Sequence, residues 1–322
     1  MKYDCLIIDT VNLAYKVFNT SQEKPLLINK KSVYKESVVN FIKMVDNLKE
    51  RFLHFDGIIY LLIDNYYSRA DLQTSFMYAD RRELSEAYKF TRHKESKEFY
   101  NSINLIRYYY MINTPQYVVS RIDGLEADDL VKPILDLKCK DKKCLFVTSD
   151  LDWTRYLSDN NHWLPKLGEE PETAKQLEAR LGFPISETSI IAFKSIFGDA
   201  SDNISSLVTL NKNNLSQFAE IIKNVAQPLD IIELARNNMK FDFENPKKYS
   251  LLAEIYSKER QYLINTQLTS AIPCDPKFLE ENTIQGRDDK TLMKILKEIL
   301  GIEQQKKKYK FGGIKRPRVV GR

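Results

Sequence analysis

No stretch of the 322 residues approaches the roughly 18 consecutive apolar residues that a membrane-spanning helix needs, so a membrane partner is not expected. The first ten residues, MKYDCLIIDT, meet an aspartate at position 4 and another at position 9, and so lack the uninterrupted apolar core of a secretory signal. Cysteine is scarce. Cys5, Cys139, Cys144 and Cys274 are too few for a disulfide framework, and no histidine lies close in sequence to Cys139 and Cys144. They read as reduced, partly buried thiols. These absences together describe a soluble intracellular protein.

What is present is ordinary in bulk and uneven in detail. Hydrophobic residues make up 43% and charged residues 29%, which suits a globular chain of one large domain or two ordinary ones. The net charge of +5 conceals an asymmetry. Residues 306–322 carry eight basic residues and no acid, which leaves residues 1–305 at −3. A mildly acidic body with a strongly basic tail (303–322) points to a polyanion or an acidic partner.

Apolar runs at 3–9, 57–64, 116–120 and 143–150 read as strands, and 35–52 has helical spacing of Val38, Val39, Ile42, Val45 and Leu48. Strands alternating with helices predict an α/β fold with a parallel sheet flanked by helices. Residues 66–112 contain no glycine or proline and read as helices with one basic, aromatic face. After about residue 185 the pattern turns helical, in SETSIIAFKSIF, NLSQFAEIIKNV, DIIELARNN and LMKILKEIL.

Acids recur at the strand ends and helix starts: Asp9, Asp64, then Glu126, Asp128 and Asp129 in GLEADDL, Asp150 and Asp152 in TSDLDW, and Asp199 and Asp202 in GDASDNI. Ligands of parallel sheets bind beyond the carboxyl ends of the strands, where Asp9, Asp64, Asp150 and Asp152 fall. Glycines at 124 and 198 would let the backbone turn tightly just before two of the groups. Two carboxylates about 4 Å apart repel by roughly 4 kcal/mol at an effective dielectric near 20, so such a gathering calls for cations. With no cysteine or histidine among the acids, the ion is a hard one, Mg²⁺ with Mn²⁺ able to substitute, rather than zinc. Two such ions roughly 3.5–4 Å apart suit phosphodiester hydrolysis.

Asp150-x-Asp152-x-Thr154 also fits haloacid dehalogenase-type phosphatases, with Asp150 as nucleophile. In those enzymes the pattern normally opens the core domain, whereas here it follows a long stretch that carries acids of its own.

The series EADD, then SD-x-D, then GD-x-x-D-N, preceded by LIIDTVNLAY and LLID, resembles the 5′→3′ exonuclease and flap endonuclease family in order and spacing. The closest likeness is to the bacteriophage branch that includes the primer-removing ribonuclease H enzymes, and it runs from about residue 3 to about residue 270. The resemblance implies a PIN-like nuclease domain over 1–190 with a helical arch at about 66–112, a helix-three-turn-helix-like DNA-binding domain over 191–302, and the basic tail. It implies two Mg²⁺ ions, the first served by Asp9, Asp64, Glu126, Asp128 and Asp129, the second by Asp150, Asp152, Asp199 and Asp202.

YKFTR matches the family's Tyr-Lys-x-x-Arg element, which implies Lys89 and Arg92 on the scissile phosphate and Tyr88 stacked on an unpaired base. Arg81, Arg82, His93 and Lys94 extend that basic surface. The likeness breaks at 205–218, where many members carry a glycine-containing hairpin that grips duplex phosphates. This stretch has no glycine; Asn211 is its one candidate for a left-handed turn, and Lys212 and the tail are left to bind duplex.

The implied activity is hydrolysis of RNA primers or 5′ flaps on branched or nicked DNA and RNA–DNA duplexes, by a monomer in the cytoplasm (the host's, if viral). A single-strand-binding protein or a clamp would be the protein partner. A non-catalytic nucleic-acid-binding PIN-like protein is the alternative outside enzymology, and a PIN nuclease that cleaves unstructured RNA would need fewer acids than this chain has.

Overall fold

The computed structural model describes residues 1–19, 23–64, 96–241 and 250–302. Strand β1 (Tyr3–Asp9) runs into helix α1 (Thr10–Phe18), a hairpin of β2 (Leu26–Ile28) and β3 (Lys31–Val33), and helix α2 (Lys35–Phe52). Strand β4 (Leu53–Leu62), helix α3 (Lys97–Met111), strand β5 (Tyr117–Ser120), helix α4 (Ala127–Lys138) and strand β6 (Cys144–Val147) follow. A 3₁₀ turn (Leu151–Tyr156), strand β7 (Asn161–Leu164) and helix α5 (Ala174–Leu181) complete the alternating part.

With a last strand β8 at Thr283–Gln285, the central sheet has the order β7-β6-β1-β4-β5-β8. Every neighbouring pair is parallel except β5 with β8, which is antiparallel. Strand β1 lies centrally, and its apolar run serves both faces. Cys5 and Ile7 join Tyr60, Leu62 and Phe146 in one core, while Leu6 and Ile8 join Ile59, Leu61, Leu145 and Val147 in the other. Burial on both sides explains why the parallel strands read as continuous hydrophobic runs rather than alternating ones.

The helix expected over 35–52 is observed at those bounds. The strand expected at 57–64 begins earlier and ends at Leu62, and the one expected to reach 150 stops at Val147. Short strands β2, β3, β7 and β8 escaped the sequence reading because runs of three or four residues carry little periodicity.

The helical part comprises α6 (Glu187–Phe197), α7 (Lys212–Ile222), α8 (Asp230–Phe241), α9 (Ser250–Ser257) and α10 (Glu259–Thr269). The region expected as a helical domain over 191–302 is not helical throughout. After α11 (Pro276–Glu281) the chain re-enters the sheet as β8, and α12 (Lys290–Leu300) packs on α2. The stripe Met293, Leu296 and Leu300 of LMKILKEIL belongs to the α2-side core, so the apolar face of this helix is buried on the nuclease part. Part of the expected arch behaves likewise. Within 66–112, α3 buries Phe99, Ile103, Ile106 and Tyr110 against the sheet, and residues 66–95 lie outside the described residues.

Gly286, which follows β8, lies so close to the chain that a β-carbon would come within 2.2 Å of the Thr114 carbonyl oxygen and 2.7 Å of the Asn113 carbonyl oxygen. We expect Gly286→Ala to lift β8 from β5 and lower stability by about 1–3 kcal/mol, as overpacking does. Denaturant unfolding monitored by circular dichroism measures it.

Candidate metal centre

Parallel strands place their carboxyl ends along one edge, and the loops there carry the acids. Asp9 is the last residue of β1 and the N-cap of α1, its Oδ1 accepting the Asn12 amide at 3.0 Å. Its Oδ2 accepts the Thr148 hydroxyl at 3.0 Å, and the Thr148 hydroxyl in turn accepts the Asp150 amide at 3.0 Å. The loops after β1 and β6 are thereby tied together. The Asn12 side-chain oxygen adds to the tie by accepting from the Ser149 amide and hydroxyl.

Asp64 lies just past β4, and its Oδ1 accepts the Ala127 amide at 2.6 Å in the first turn of α4. Glu126 and Asp129 form a capping box there. One oxygen each of Glu126, Asp128 and Asp129 lie within 4.8 Å of one another. Acids at this helix start are favoured by the exposed N–H groups and the helix dipole. Asp129 differs from the others. It is 1% exposed, its Oδ2 accepts the Glu126 amide at 3.0 Å, and its Oδ1 accepts the Ile272 amide at 2.7 Å. It ties α4 to the stretch of chain after α10.

A second group forms from Asp152, Asp199 and Asp202, again with one oxygen each within 4.8 Å. Gly198, at φ 81°, turns the chain after α6, and Asn203, at φ 57°, turns it back so that Asp199 bridges Ile204. Gly124 takes φ 83° before the α4 acids, so both glycines flagged in the sequence occupy the left-handed half of backbone space. Asn211 does not. Its φ is −142°, and its side chain caps α7 by accepting the Asn214 amide, with Lys212 exposed beside it.

Two cations missed in the sequence reading stand within this group. Lys194 of α6 is buried, with Nζ 2.7 Å from Asp152, 2.6 Å from Asp199 and 3.9 Å from Asp150. Arg155, also buried, meets Asp152 at 2.8 Å and donates to the Thr269 carbonyl at 3.0 Å. The signal for Lys194 was a lone lysine inside the apolar run IIAFKSIF. Four carboxylates (Asp150, Asp152, Asp199 and Asp202) against two buried cations leave two negative charges, the charge of one divalent ion.

The electrostatics agree with that balance. Burial, then the facing Asp64 and Asp150, push Asp9 up to about 8. Burial of its carboxyl and the adjacent Asp152 raise Asp150 to about 6 against the pull of Lys194, even though 36% of its side chain stays open to the cleft. Burial also works against the charge of Asp199, but Lys194 and Ser201 hold it below the ordinary value. Burial opposes the charge of Lys194, yet Asp152, Asp150 and Asp199 hold it above the usual lysine range. A donor set made of carboxylate oxygens, two of them raised in proton affinity by burial first and then by neighbours of like charge, fits a hard divalent cation. A cleft of about 500 Å³ opens on Asp150, Lys194 and Asp199.

Six of the nine acids named from the sequence thus form two groups, with Asp9, Asp64 and Asp150 at the strand ends beside them. Tyr88, Lys89, Arg92, Arg81, Arg82 and Lys94 lie outside the described residues.

A parallel sheet with an acid-lined carboxyl edge defines a PIN-like nuclease architecture. Residues 4–182 match the 5′-3′ exonuclease, N-terminal resolvase-like domain, and the chain belongs to that family. A curated 5′-3′ exonuclease of Mycoplasmopsis pulmonis (strain UAB CTIP) is 25% identical over 153 residues, 48% of this chain and 50% of that protein. The chain thus matches about half the length of this curated relative. Among solved structures, the D15 protein of bacteriophage T5, co-crystallised with metal ions, superposes with a TM-score of 0.60 at 17% identity, covering 92% of this chain and 99% of that one. The catalytic core of Rad2 in complex with DNA superposes at 0.54 and 12% identity, covering 93% and 88%. At these identities the structural likeness speaks for the fold. Membership of the exonuclease family displaces the phosphatase reading of Asp150.

Two outcomes follow from the charge balance. Lys194→Met leaves Asp152 and Asp199 without their shared ammonium, and we expect it to cost about 3–5 kcal/mol in metal-free unfolding, part of which Mg²⁺ restores. Asp9 and Asp150 bind protons more tightly folded than unfolded, so their contribution to stability falls as pH rises from about 4 through about 8. Metal-free protein should therefore melt higher at pH 5.5 than at pH 8, and Mg²⁺ should close the gap. Thermal melts with and without chelator measure both.

Proposed function

We propose that this chain is a divalent-metal-dependent 5′→3′ exonuclease and flap endonuclease. It acts on RNA primers or 5′ flaps of branched or nicked duplexes during replication and leaves a 5′-phosphate and a 3′-hydroxyl. The observation that carries the reading is the pair of three-acid groups, Glu126, Asp128 and Asp129 and then Asp152, Asp199 and Asp202, beside the strand-end acids Asp9, Asp64 and Asp150.

Asp9, Asp64, Glu126, Asp128 and Asp129 would hold the first Mg²⁺, with Asp129 also tying α4 to the chain after α10. Asp150, Asp152, Asp199 and Asp202 would hold the second, with Mn²⁺ able to replace either. Bound divalent ions supply charge neutralisation at the phosphodiester and a lowered pKa for water. The chain's own part is positional. Thr148 and Asn12 tie the loops after β1 and β6 together, and Lys194 and Arg155 pair with Asp152. Lys89 and Arg92 would hold the scissile phosphate, and Tyr88, Arg81, Arg82 and Lys94 would follow the single strand.

Lys212, exposed in the first turn of α7, would meet duplex phosphates together with the basic tail. The division into a nuclease part (1–190), a DNA-binding part (191–302) and a tail (303–322) is part of this reading. So are action as a monomer in the cytoplasm and docking of a single-strand-binding protein or clamp on the tail. No helix among the described residues is long and apolar enough to cross a membrane.

The test compares end-labelled 5′-flap, nicked and single-stranded substrates with Mg²⁺ and with chelator, using wild type and an Asp128→Asn, Asp150→Asn double variant. We expect Mg²⁺-dependent cleavage at the flap, slowed at least about a hundredfold in the variant, about 2.7 kcal/mol of barrier. Cleavage at the wild-type rate by a folded variant, or flap binding without cleavage in any divalent ion, would sink the proposal.

A further inference from the structure

We propose that Cys5, Cys139 and Cys144 form a sulfur-lined site for one thiophilic cation of the zinc type, separate from the carboxylate centre. The inference goes beyond the nuclease reading and does not rest on it.

Three elements converge on this point. Cys5 of β1 and Cys144 of β6 are register partners in the parallel sheet and face the same core. Helix α4 packs over that face and ends with Cys139 at its C-cap. One Sγ from each cysteine lies within 4.8 Å of the others, and the Cys5 and Cys139 sulfurs are 3.5 Å apart. With Zn–S bonds of about 2.3 Å, ligand sulfurs sit roughly 3.8–4.0 Å from one another, so three thiolates could close on an ion with side-chain movement alone.

Placement sets this site apart from the acids. Cys5 and Cys144 belong to the amino ends of their strands, whereas Asp9 and Asp150 belong to the carboxyl ends. The four-residue rise from Cys5 to Asp9 is about 13 Å, too far for one ion to serve both. Donor chemistry separates them too, since all-sulfur sites select soft cations and all-carboxylate sites select hard ones.

The surroundings answer two requirements of such a site. Three thiolates around a divalent ion leave one negative charge, and the turn from α4 to β6 supplies Lys140, Lys142 and Lys143 within six residues. Lys142 is close enough to act electrostatically on Cys5 and Cys139. An ion also needs a way in and, for zinc, a fourth ligand. Cys139 and Lys142 line a cleft of about 540 Å³, which gives both an entry path and room for a water. Sequence spacing hid the arrangement because the third thiol comes from 134 residues upstream of Cys139. The rival account is a knot of three thiols packed as small apolar groups.

The experiment uses the full chain, reduced and then freed of reductant under nitrogen, with excess Mg²⁺ to occupy carboxylates. Titration with Cd²⁺ should give a sulfur-to-cadmium ultraviolet charge-transfer band that saturates at one equivalent. Cys139→Ser should weaken binding by more than the roughly 10–100-fold that loss of an outer partner costs, while Cys274→Ser should leave it unchanged. Zn²⁺ should raise the melting temperature of wild type and not of Cys139→Ser. As a check free of mutation, Cd²⁺ should slow alkylation of Cys139 in wild type without slowing that of Cys274. Absence of the band, or alkylation of Cys139 at the same rate with and without Cd²⁺, would overturn the proposal in favour of the apolar knot.

Discussion

Repulsion among carboxylates is the constraint around which the rest of the molecule is arranged. A parallel sheet delivers its loops to one edge, the segment after α6 adds Asp199 and Asp202, and the acids gathered there would drive each other apart in a medium of low dielectric. The protein offsets part of that cost internally. Lys194 and Arg155 are inserted from α6 and the 3₁₀ turn into the middle of the second group, while the amides at the start of α4 receive Asp64 and Asp129. What remains unbalanced is raised proton affinity at Asp9 and Asp150. Residual negative charge held in fixed geometry is what a hard cation stabilises.

This arrangement makes α6 and α10 part of the chemistry although neither carries one of the nine acids within its bounds. Lys194 reaches back to Asp152 and forward to Asp199, so the helix acts as a spacer between the SDLD and GDASD segments. Arg155 binds the Thr269 carbonyl at the end of α10, which fixes the turn bearing Asp152 from the other side. Ser195 and Asn265, both buried, tie α6 to α10 by hydrogen bonds of their own. The helical part is thereby packed against the acidic edge.

Much of this was legible in the sequence, and particular residues show why. The strand-end aspartates announced the edge because apolar runs and acids alternate in register with the parallel topology. Gly124 and Gly198 announced their turns because few other residues tolerate those angles. Lys194 stayed hidden because partner choice across 42 residues, from Asp152, leaves no local pattern. The backbone contacts of Asp129 left no sequence signal, because the Ile272 amide that it accepts comes from 143 residues further along the chain. The return of residues 283–300 to the sheet was invisible because pairing of β8 with β5 is set by tertiary fit, not by periodicity.

The antiparallel strand β8 has a consequence for how the protein comes into being. Ser120 of β5 and Thr283 of β8 hydrogen-bond across a separation of 163 residues. Until residue 285 has been synthesised, β5 presents an unpaired edge, the kind of template on which other chains add strands. Folding during synthesis therefore has a late closing step. A chain truncated before β8 would build most of the acidic edge and still expose a strand ready to join its neighbours.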